Sequence, residues 1–340
     1  MPRHYCFLLS GAAFSVFSIN AAVAGNVTLK VGLAAPYHTI SAAAAVADGD
    51  TNLADYYVIE VAPGTYTNDF PAVTRPMTIE VNPSQSGRAV ILNATVALPN
   101  EKGIILSTAD LTVNGLTFEG AEISNDLGGN GAGIRDQNLN TPATLIIENS
   151  TFVNNQEGIL TGYNSAQSIS IINTTFKNNG NPNQSYFQHA LYVNYAGSLS
   201  VASSTFCGQL IGHDIKSRAM VTTISDNQLY DGQADPAIGC RAGSSSLAID
   251  LPNGGVATIA GNAITQGVAS QNDGIVDYGE EGLLYNTNSL LVSDNGFVNI
   301  GANPATAIYD PYCVPAQLTG NSFTNISALV DPSICAVFTN

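Results

Sequence analysis

Two basic residues lie close together in a chain that has very few of them. Lys and Arg together account for only 10 of the 340 residues, yet Lys216 and Arg218 are two positions apart in the segment Gly-His-Asp-Ile-Lys-Ser-Arg. Alternate residues of a β-strand share one face, so we expect Asp214, Lys216 and Arg218 to point outward together. Paired cations on one face can neutralise a substrate carboxylate and acidify the proton on the carbon beside it.

A short strand pattern that returns along the chain must position these residues. Alternating runs end at Phe118, Phe152, Phe176, Phe206, Leu229, Ile264, Phe297 and Phe323, which are 23 to 35 residues apart. A repeat of this length with strand patterning is typical of a solenoid, whose stacked coils bury their apolar residues in ladders. We therefore predict an all-β fold, a right-handed, single-stranded parallel β-helix of roughly eight to ten coils. It would form a single domain over residues 25–340, with the coils spanning about 75–330.

Aligning a second short strand of each repeat predicts which residues surround the two cations. The apolar positions expected to point inward are Ile134, Ile159, Leu191, Ile215, Ile249, Ile275 and Ile308. The outward ladder one position further is Arg135, Leu160, Tyr192, Lys216, Asp250, Val276 and Tyr309. Two positions beyond that ladder lie Gln137, Gly162, Asn194, Arg218, Pro252, Tyr278 and Pro311. Lys216 would then lie between Tyr192 and Asp250.

The segment that precedes the repeats contains a helical stretch, an apolar strand and a turn. Residues 36–48 read Pro-Tyr-His-Thr-Ile-Ser-Ala-Ala-Ala-Ala-Val-Ala-Asp, and residues 57–66 read Tyr-Val-Ile-Glu-Val-Ala-Pro-Gly-Thr-Tyr. This resembles the opening of the pectin-lyase-like superfamily of right-handed parallel β-helices. The resemblance implies a short N-terminal capping helix within a capping segment of about 36–66. It implies no particular enzyme, since the superfamily includes lyases, hydrolases, esterases, epimerases and adhesins, and the motifs of its better-known branches are missing.

Cation, phenol and carboxylate groups at neighbouring positions suit β-elimination from an anionic, uronic-acid polysaccharide. A base removes the proton on C5, a cation neutralises the carboxylate, and an acid helps the glycosidic oxygen leave. We expect a polysaccharide lyase with Lys216 or Tyr192 as the base and Arg218 binding the carboxylate. The predicted catalytic residues are Lys216, Arg218, Tyr192, His213 and Asp250. The predicted substrate-binding residues are Asn194, Tyr278, Asp214 and Arg135.

Other interpretations of these residues stay open. Lys216 and Asp250 are also compatible with an ordinary ion pair between coils, and His213 has the parity of a core residue. A second group of acidic residues consists of Asp250, Asp273, Asp277, Glu280 and Glu281. Paired carboxylates of this kind would serve an inverting glycoside hydrolase, with Asp250 acting beside Asp273 or Asp277.

The acidic residues and the fold are also compatible with functions that involve no catalysis. Asp250, Asp273 and Asp277 are the candidate ligands for calcium, which is the one cofactor that the sequence suggests. The same residues are equally common in ordinary turns. A non-catalytic β-helix that binds glycans or acts as an adhesin is the remaining alternative.

The first residues have the features of a secretion signal. A weakly basic start and an apolar stretch precede the small-residue site Ala22-Val23-Ala24. Residues 1–24 are therefore predicted to be a signal peptide, and the mature protein to be secreted or periplasmic. Four cysteines remain after its removal, and an even number in an exported chain favours disulfides. We expect the pairs Cys207–Cys240 and Cys313–Cys335, with four buried thiols as the alternative.

The charge of the chain bears on its partners. The formal net charge is −16, so binding to nucleic acid through bulk electrostatics is not expected. No membrane attachment is expected after the signal is removed. We expect a monomer whose partner is a polysaccharide. An anionic polysaccharide would require the local concentration of cations that Lys216 and Arg218 supply, or calcium.

Overall fold

The computed structural model describes residues 25–183 and 188–330. In these residues the chain forms three long sheets, here named A, B and C, whose neighbouring strands pair in parallel. Sheet A has eleven strands, and sheets B and C have ten each. After the first strand of sheet A, the described chain completes ten coils that each contribute one strand to every sheet. The predicted parallel β-helix is confirmed.

Most strands are short, as expected where turns interrupt every side of a coil. Sheet A consists of Asn26–Val31, Tyr56–Val61, Met77–Val81, Leu111–Asn114, Ala143–Glu148, Asn164–Ile172, Ala196–Ala202, Val221–Ser225, Val256–Ala260, Ser289–Ser293 and Ala316–Thr319. Sheet B consists of Gly64–Thr67, Val90–Asn93, Leu116–Glu119, Thr151–Val153, Thr175–Lys177, Thr205–Cys207, Gln228–Asp231, Ala263–Gln266, Gly296–Asn299 and Ser322–Thr324. Sheet C consists of Ala72–Val73, Gly103–Ser107, Ala132–Asp136, Glu157–Thr161, Leu191–Val193, Ile211–Ser217, Ser244–Leu251, Gly274–Tyr278, Ala305–Tyr309 and Ile326–Val330. Short 3₁₀ helices span Pro83–Gln85 and Asn125–Leu127.

The repeat endpoints found in the sequence stack on one another inside sheet B. The rings of Phe118, Phe152, Phe176 and Phe206 form a column with centroid separations of 4.9, 4.9 and 4.6 Å and nearly parallel planes. The column continues through Leu229, Ile264, Phe297 and Phe323. Each fully buried apolar side chain of this size contributes about 1.5–3 kcal/mol, so the column is a major part of the core.

Asparagine side chains satisfy the backbone at the corner that leads into sheet B. The backbone N–H groups of Asn227, Asn262 and Asn295 each donate to the side-chain oxygen of the asparagine in the next coil, at 2.9 Å. Their amide nitrogens donate to backbone carbonyls of the preceding coil. This ladder supplies hydrogen-bond partners to backbone groups that would otherwise be buried without them.

The N-terminal end of the solenoid is covered by the helix Ile40–Asp48. Thr39 is its N-cap, with a side-chain oxygen that accepts from Ala42 N–H at 3.1 Å. The buried face of the helix consists of Ile40, Ala43, Ala44 and Ala47. The predicted capping helix is therefore present, and it shields the apolar interior from water at this end.

One of the two predicted disulfides is confirmed. Cys207 and Cys240 are bonded, with their Cα atoms 5.7 Å apart. Cys335, the predicted partner of Cys313, lies outside the described residues, as does the predicted signal peptide 1–24. In the part of the chain that the structure describes, no helix is both long enough and apolar enough to cross a bilayer.

Candidate functional site

The outward face of sheet C carries the predicted ladder with one change. Arg135, Leu160, Tyr192, Lys216 and Asp250 follow one another as predicted, and the next members are Asp277 and Tyr309. The prediction of Val276 was wrong because Ile249 pairs with Val276 rather than with Ile275. Ile275 and Val276 are both fully buried, so apolar character alone did not distinguish the two registers.

The shift in register removes Tyr278 from the predicted substrate-binding residues. Tyr278 pairs with Leu251 and is fully buried in the core. Its hydroxyl donates to the carbonyl of Gly255 at 2.5 Å. Tyr278 therefore supports the loop after Asp250 from below and does not face solvent.

Lys216 and Asp250 form an ion pair between adjacent coils. Lys216 Nζ donates to Asp250 Oδ2, and the side chains are 8% and 0% exposed. Burial raises the pKa of Asp250 to about 6, although Lys216 opposes this shift. Lys216 Nζ also lies 3.3 Å from Glu281 Oε1. Asp250 therefore holds Lys216 in place from beneath the surface and is not itself open to a substrate.

Arg218 is held by three partners that come from three coils. Its Nη2 donates to Glu281 Oε1 at 2.8 Å and lies 2.6 Å from Glu281 Oε2. Its Nη1 donates to Asn253 Oδ1 at 2.5 Å, and its Nε donates to the Tyr192 hydroxyl at 3.0 Å. Burial lowers the pKa of Arg218, but the contacts with Glu281 and Tyr192 outweigh burial and raise it above its usual value. The guanidinium is a permanent cation with a fixed orientation.

His213 joins the cluster, although its parity predicted an inward position. Its Nε2 lies 3.3 Å from Asp250 Oδ2, and its ring stacks on His189 with centroids 4.8 Å apart. Burial, assisted by Lys216, lowers the pKa of His213 to about 3. His213 is therefore neutral near pH 7, and it cannot act there as a charged acid.

His189 was not identified from the sequence. Its Nδ1 accepts from the backbone N–H of His213 at 3.0 Å, and its ring meets Tyr192 edge-on at 5.2 Å. Burial lowers its pKa well below the usual value. A single histidine at the start of a repeat strand carries no pattern that would reveal this role.

The prediction that Asp214 points outward was wrong. Asp214 is fully buried, and burial together with the nearby Asp231 raises its pKa well above the usual value. The pairing of its strand with the next strand shifts between Gly212 and His213, where regular alternation ends. Asp214 cannot contact a substrate on the outer face.

Arg135 lies apart from the two cations, whereas Asn194 follows Val193, whose carbonyl accepts from Arg218 N–H at 2.9 Å. Arg135 is three coils from Lys216 along the ladder, about 5 Å per coil, and burial lowers its pKa. Asn194 accepts a hydrogen bond from Tyr195 N–H at 3.0 Å through its side-chain oxygen. Of the predicted residues, Tyr192, His213, Lys216, Arg218 and Asp250 are the ones brought together.

Two loops complete the cluster, one containing Asn253 and one containing Gly282, and their contact was not predicted from the sequence. Asn253 follows Asp250 in the chain, and its amide nitrogen donates to Gly282 O at 3.2 Å. Gly255 has a φ of +99°, and an added Cβ would lie 2.6 Å from Met220 O, so glycine is required there. These constraints aim the Asn253 oxygen at Arg218.

An acidic cleft of about 330 Å³ lies further along the same face. It is lined by Asn272, Asp273, Gly274, Asp277, Glu280, Thr306 and Tyr309. Burial, with the neighbouring charge of Glu280, raises the pKa of Asp277 to about 8. Asp273 and Asp277 line this cleft, whereas Asp250 points to Lys216. Within the described residues, no three His, Cys, Asp or Glu side chains are arranged to hold a metal ion, so the three predicted calcium ligands do not form such a group.

Comparison with known proteins does not assign this site. No protein family, curated protein or solved structure matches the chain. The chemistry of the cluster therefore has to be argued from its own groups. These are a fixed guanidinium, an ammonium held by a buried carboxylate, a phenol and a neutral imidazole within three neighbouring coils.

Proposed function

We propose that the protein is a carbohydrate-active enzyme that cleaves an anionic, uronic-acid polysaccharide by β-elimination. The active site is the Tyr192–Lys216–Arg218 cluster on the outward face of sheet C. The observation that carries this proposal is that one guanidinium nitrogen of Arg218, Nη2, contacts both oxygens of the Glu281 carboxylate. A guanidinium that is held in a fixed orientation and already binds one carboxylate has the charge and the donor to bind the carboxylate of a uronic acid.

Glu281 stands where the substrate carboxylate would bind. The Glu281 side chain is 43% exposed, while that of Arg218 is 11% exposed. Glu281 is the more exposed partner, so it can turn towards solvent and leave its place to a substrate carboxylate. Asn253 and Tyr192 keep the guanidinium in place during this exchange.

Tyr192 is the proposed base, and Lys216 is the proposed acid. Arg218 Nε donates to the Tyr192 oxygen at 3.0 Å, so the guanidinium lies directly beside the proposed base. In the proposed step the Tyr192 phenolate takes the C5 proton, the C4–O bond breaks with its electron pair leaving on oxygen, and Lys216 gives that oxygen a proton. A double bond forms between C4 and C5. Asp250 holds the Lys216 ammonium in position for this step.

Membership of the pectin-lyase-like superfamily and export from the cell are part of the proposal. The capping helix Ile40–Asp48 and the turn at Pro63-Gly64 support the superfamily. The Cys207–Cys240 disulfide supports an oxidising compartment. The predicted signal peptide 1–24 is compatible with both.

Glycoside hydrolysis is a second candidate, favoured by one observation. With a pKa of about 8, Asp277 keeps its proton at neutral pH, as a general acid must. The cleft also holds the carboxylates of Asp273 and Glu280, either of which could activate water. Asp250 does not fit the role of base, since its side chain is fully buried beneath Lys216. Hydrolysis would therefore use the cleft and leave Arg218 without a direct role.

An ultraviolet absorbance assay tests the proposal, because β-elimination leaves an unsaturated uronate that absorbs. Purified protein is incubated with pectate, alginate, glucuronan or chondroitin, with and without calcium. We expect absorbance to rise with one of them. Arg218→Lys should slow the rise on the order of 100-fold, because an ammonium lacks the planar set of donors that Asn253 and Tyr192 hold in place. Arg241→Lys, at a different corner of the coils, is the matched control and should behave as the unmodified protein. New reducing ends without absorbance would instead support hydrolysis in the acidic cleft.

A further inference from the structure

A second group of polar side chains lies inside the solenoid, behind the strand that carries Lys216. Asp214, Asp231 and Ser245 are all fully buried. Both carboxylate oxygens of Asp214 have no hydrogen-bond partner among the described residues. A buried carboxylate with no donor on either oxygen is unusual, because buried polar groups in folded proteins are nearly always satisfied.

The coil arrangement brings these oxygens towards one another. Asp214 lies in the strand Ile211–Ser217, and Asp231 ends the sheet B strand that follows it in the chain. Ser245 lies beside the Asp231 carboxylate and pairs across sheet C with Gly212. Ser270 donates to the second oxygen of Asp231 at 2.7 Å. The four side chains thus come from successive coils, and Asp231 lies near each of the other three.

Among the described residues, the negative charges of Asp214 and Asp231 have no cationic side chain that balances them. Burial and the neighbouring Asp231 both work against the ionised form of Asp214. Lys216 does not neutralise it, since its ammonium contacts Asp250 and Glu281 on the outward face. A buried carboxylate pair has to take up a proton or bind a cation. A proton shared between the two carboxylates would bridge one oxygen of each, and the second oxygen of Asp214 would still have no partner.

We propose that Asp214, Asp231 and Ser245 bind a hard divalent cation of the calcium type inside the β-helix. An all-oxygen set of carboxylates and hydroxyls is the kind that calcium takes, with water or backbone carbonyls completing the coordination. Its two positive charges balance the two carboxylates. The ion would be a structural element that ties the Lys216 strand to the next coil. It is separate from the outer-face residues Asp250, Asp273 and Asp277.

The experiment measures bound metal and its effect on unfolding in the full chain. The protein is unfolded in denaturant with EDTA, refolded with calcium or with EDTA, and passed through metal-free buffer. Metal content is then measured by mass spectrometry and unfolding by a thermal scan. Asp214→Asn combined with Asp231→Asn removes both charges. Asp136→Asn is the matched control, because Asp136 is another buried carboxylate of sheet C whose partners are Gln167 and Asn138.

We expect the calcium-refolded protein to retain one more calcium ion than the double variant, and the Asp136→Asn variant to match the unmodified protein. The unfolding midpoint of the unmodified protein should fall by several degrees in EDTA. Equal metal content and equal midpoints in calcium and EDTA would overturn the proposal. A double variant that is more stable than the unmodified protein would also overturn the proposal. That result would mean that the two acids are protonated in the folded protein and bind no cation, since neutral amides could then replace them. If the double variant does not fold, the proposal is tested by the unmodified protein alone, through its calcium content and the change of its unfolding midpoint in EDTA.

Discussion

Lys216 and Asp250 form a buried ion pair across adjacent coils, and this contact fixes the position of the ammonium on the outer face. Asp250 is fully buried and Lys216 is 8% exposed. Glu281 contacts Lys216 at 3.3 Å and Arg218 at 2.6 Å, so one exposed carboxylate joins both cations. The cluster is therefore an ordered charge network and not a set of free surface groups.

Removing Lys216 alone should destabilise the protein. Lys216→Ala leaves Asp250 buried without its partner, and breaking a buried pair in this way costs about 3–5 kcal/mol. Adding Asp250→Ala to Lys216→Ala should recover part of that loss, because the uncompensated charge is gone. Denaturant unfolding of both single variants and the double variant measures this. Additive losses would show that the pair is not coupled.

The stability of the protein should fall as pH rises from about 4 to about 8. The pKa of Asp277 is raised from 3.8 to about 8, and that of Asp250 to about 6, mainly by burial. The folded state thus holds these protons more tightly than the unfolded state, and the stabilisation by protonation is lost as pH rises through the folded pKa.

Asp277→Asn should remove much of this pH dependence. We compare the free energy of unfolding of the variant with that of the unmodified protein at about pH 4 and at about pH 8. This difference should shift in favour of the variant by at least ~1 kcal/mol between the two pH values, since one pKa unit corresponds to about 1.4 kcal/mol. Thermal unfolding midpoints across the pH range provide the measurement. An unchanged slope in the variant would show that Asp277 ionises normally in the folded state.

Glu281→Gln should improve binding of the uronate substrate. The change removes the carboxylate that occupies Arg218 in the free protein, so KM should fall. The unfolding free energy should change by less than ~1 kcal/mol, because Glu281 is substantially exposed. Glu280→Gln is the control for charge, since Glu280 lies in the acidic cleft. An increased KM for Glu281→Gln would mean that Glu281 itself contacts the substrate favourably.

The Cys207–Cys240 disulfide should contribute to stability. It closes a loop of 33 residues, for which the expected contribution is about 2–4 kcal/mol. It also anchors the segment in which Arg241 N–H donates to Asn178 Oδ1 at 2.9 Å. Replacing both cysteines with Ala should lower the unfolding midpoint. A reducing agent that leaves the midpoint of the unmodified protein unchanged would contradict this expectation.

The strand repeats were predictable because each coil repeats the same physical requirement. Every coil needs a bulky apolar residue at the same inward point of sheet B, and Phe152 and Phe176 meet it at equal register. Tyr192, Lys216 and Asp250 were aligned correctly for the same reason, since Ile215 and Ile249 set the register beside them. Periodicity is informative wherever the strands are regular.

The errors fall where that regularity ends. Two consecutive buried aliphatic residues, Ile275 and Val276, allow either register, so the inward position of Tyr278 could not be read from the pattern. Asp214 lies beside a shift in strand pairing and is buried although alternation predicts it outward. The contact between Arg218 and Glu281 joins residues 63 positions apart through a loop, and no local pattern encodes it.

The most direct test of the account is the mass of the products from a defined uronic-acid oligosaccharide. β-Elimination adds no water, so the masses of the two fragments should sum to that of the substrate, and one fragment should absorb ultraviolet light. Tyr192→Phe should suppress this reaction while the protein remains folded, because only the hydroxyl is removed. Fragments whose masses sum to substrate plus one water, or full activity in Tyr192→Phe, would contradict elimination at the Tyr192–Lys216–Arg218 cluster.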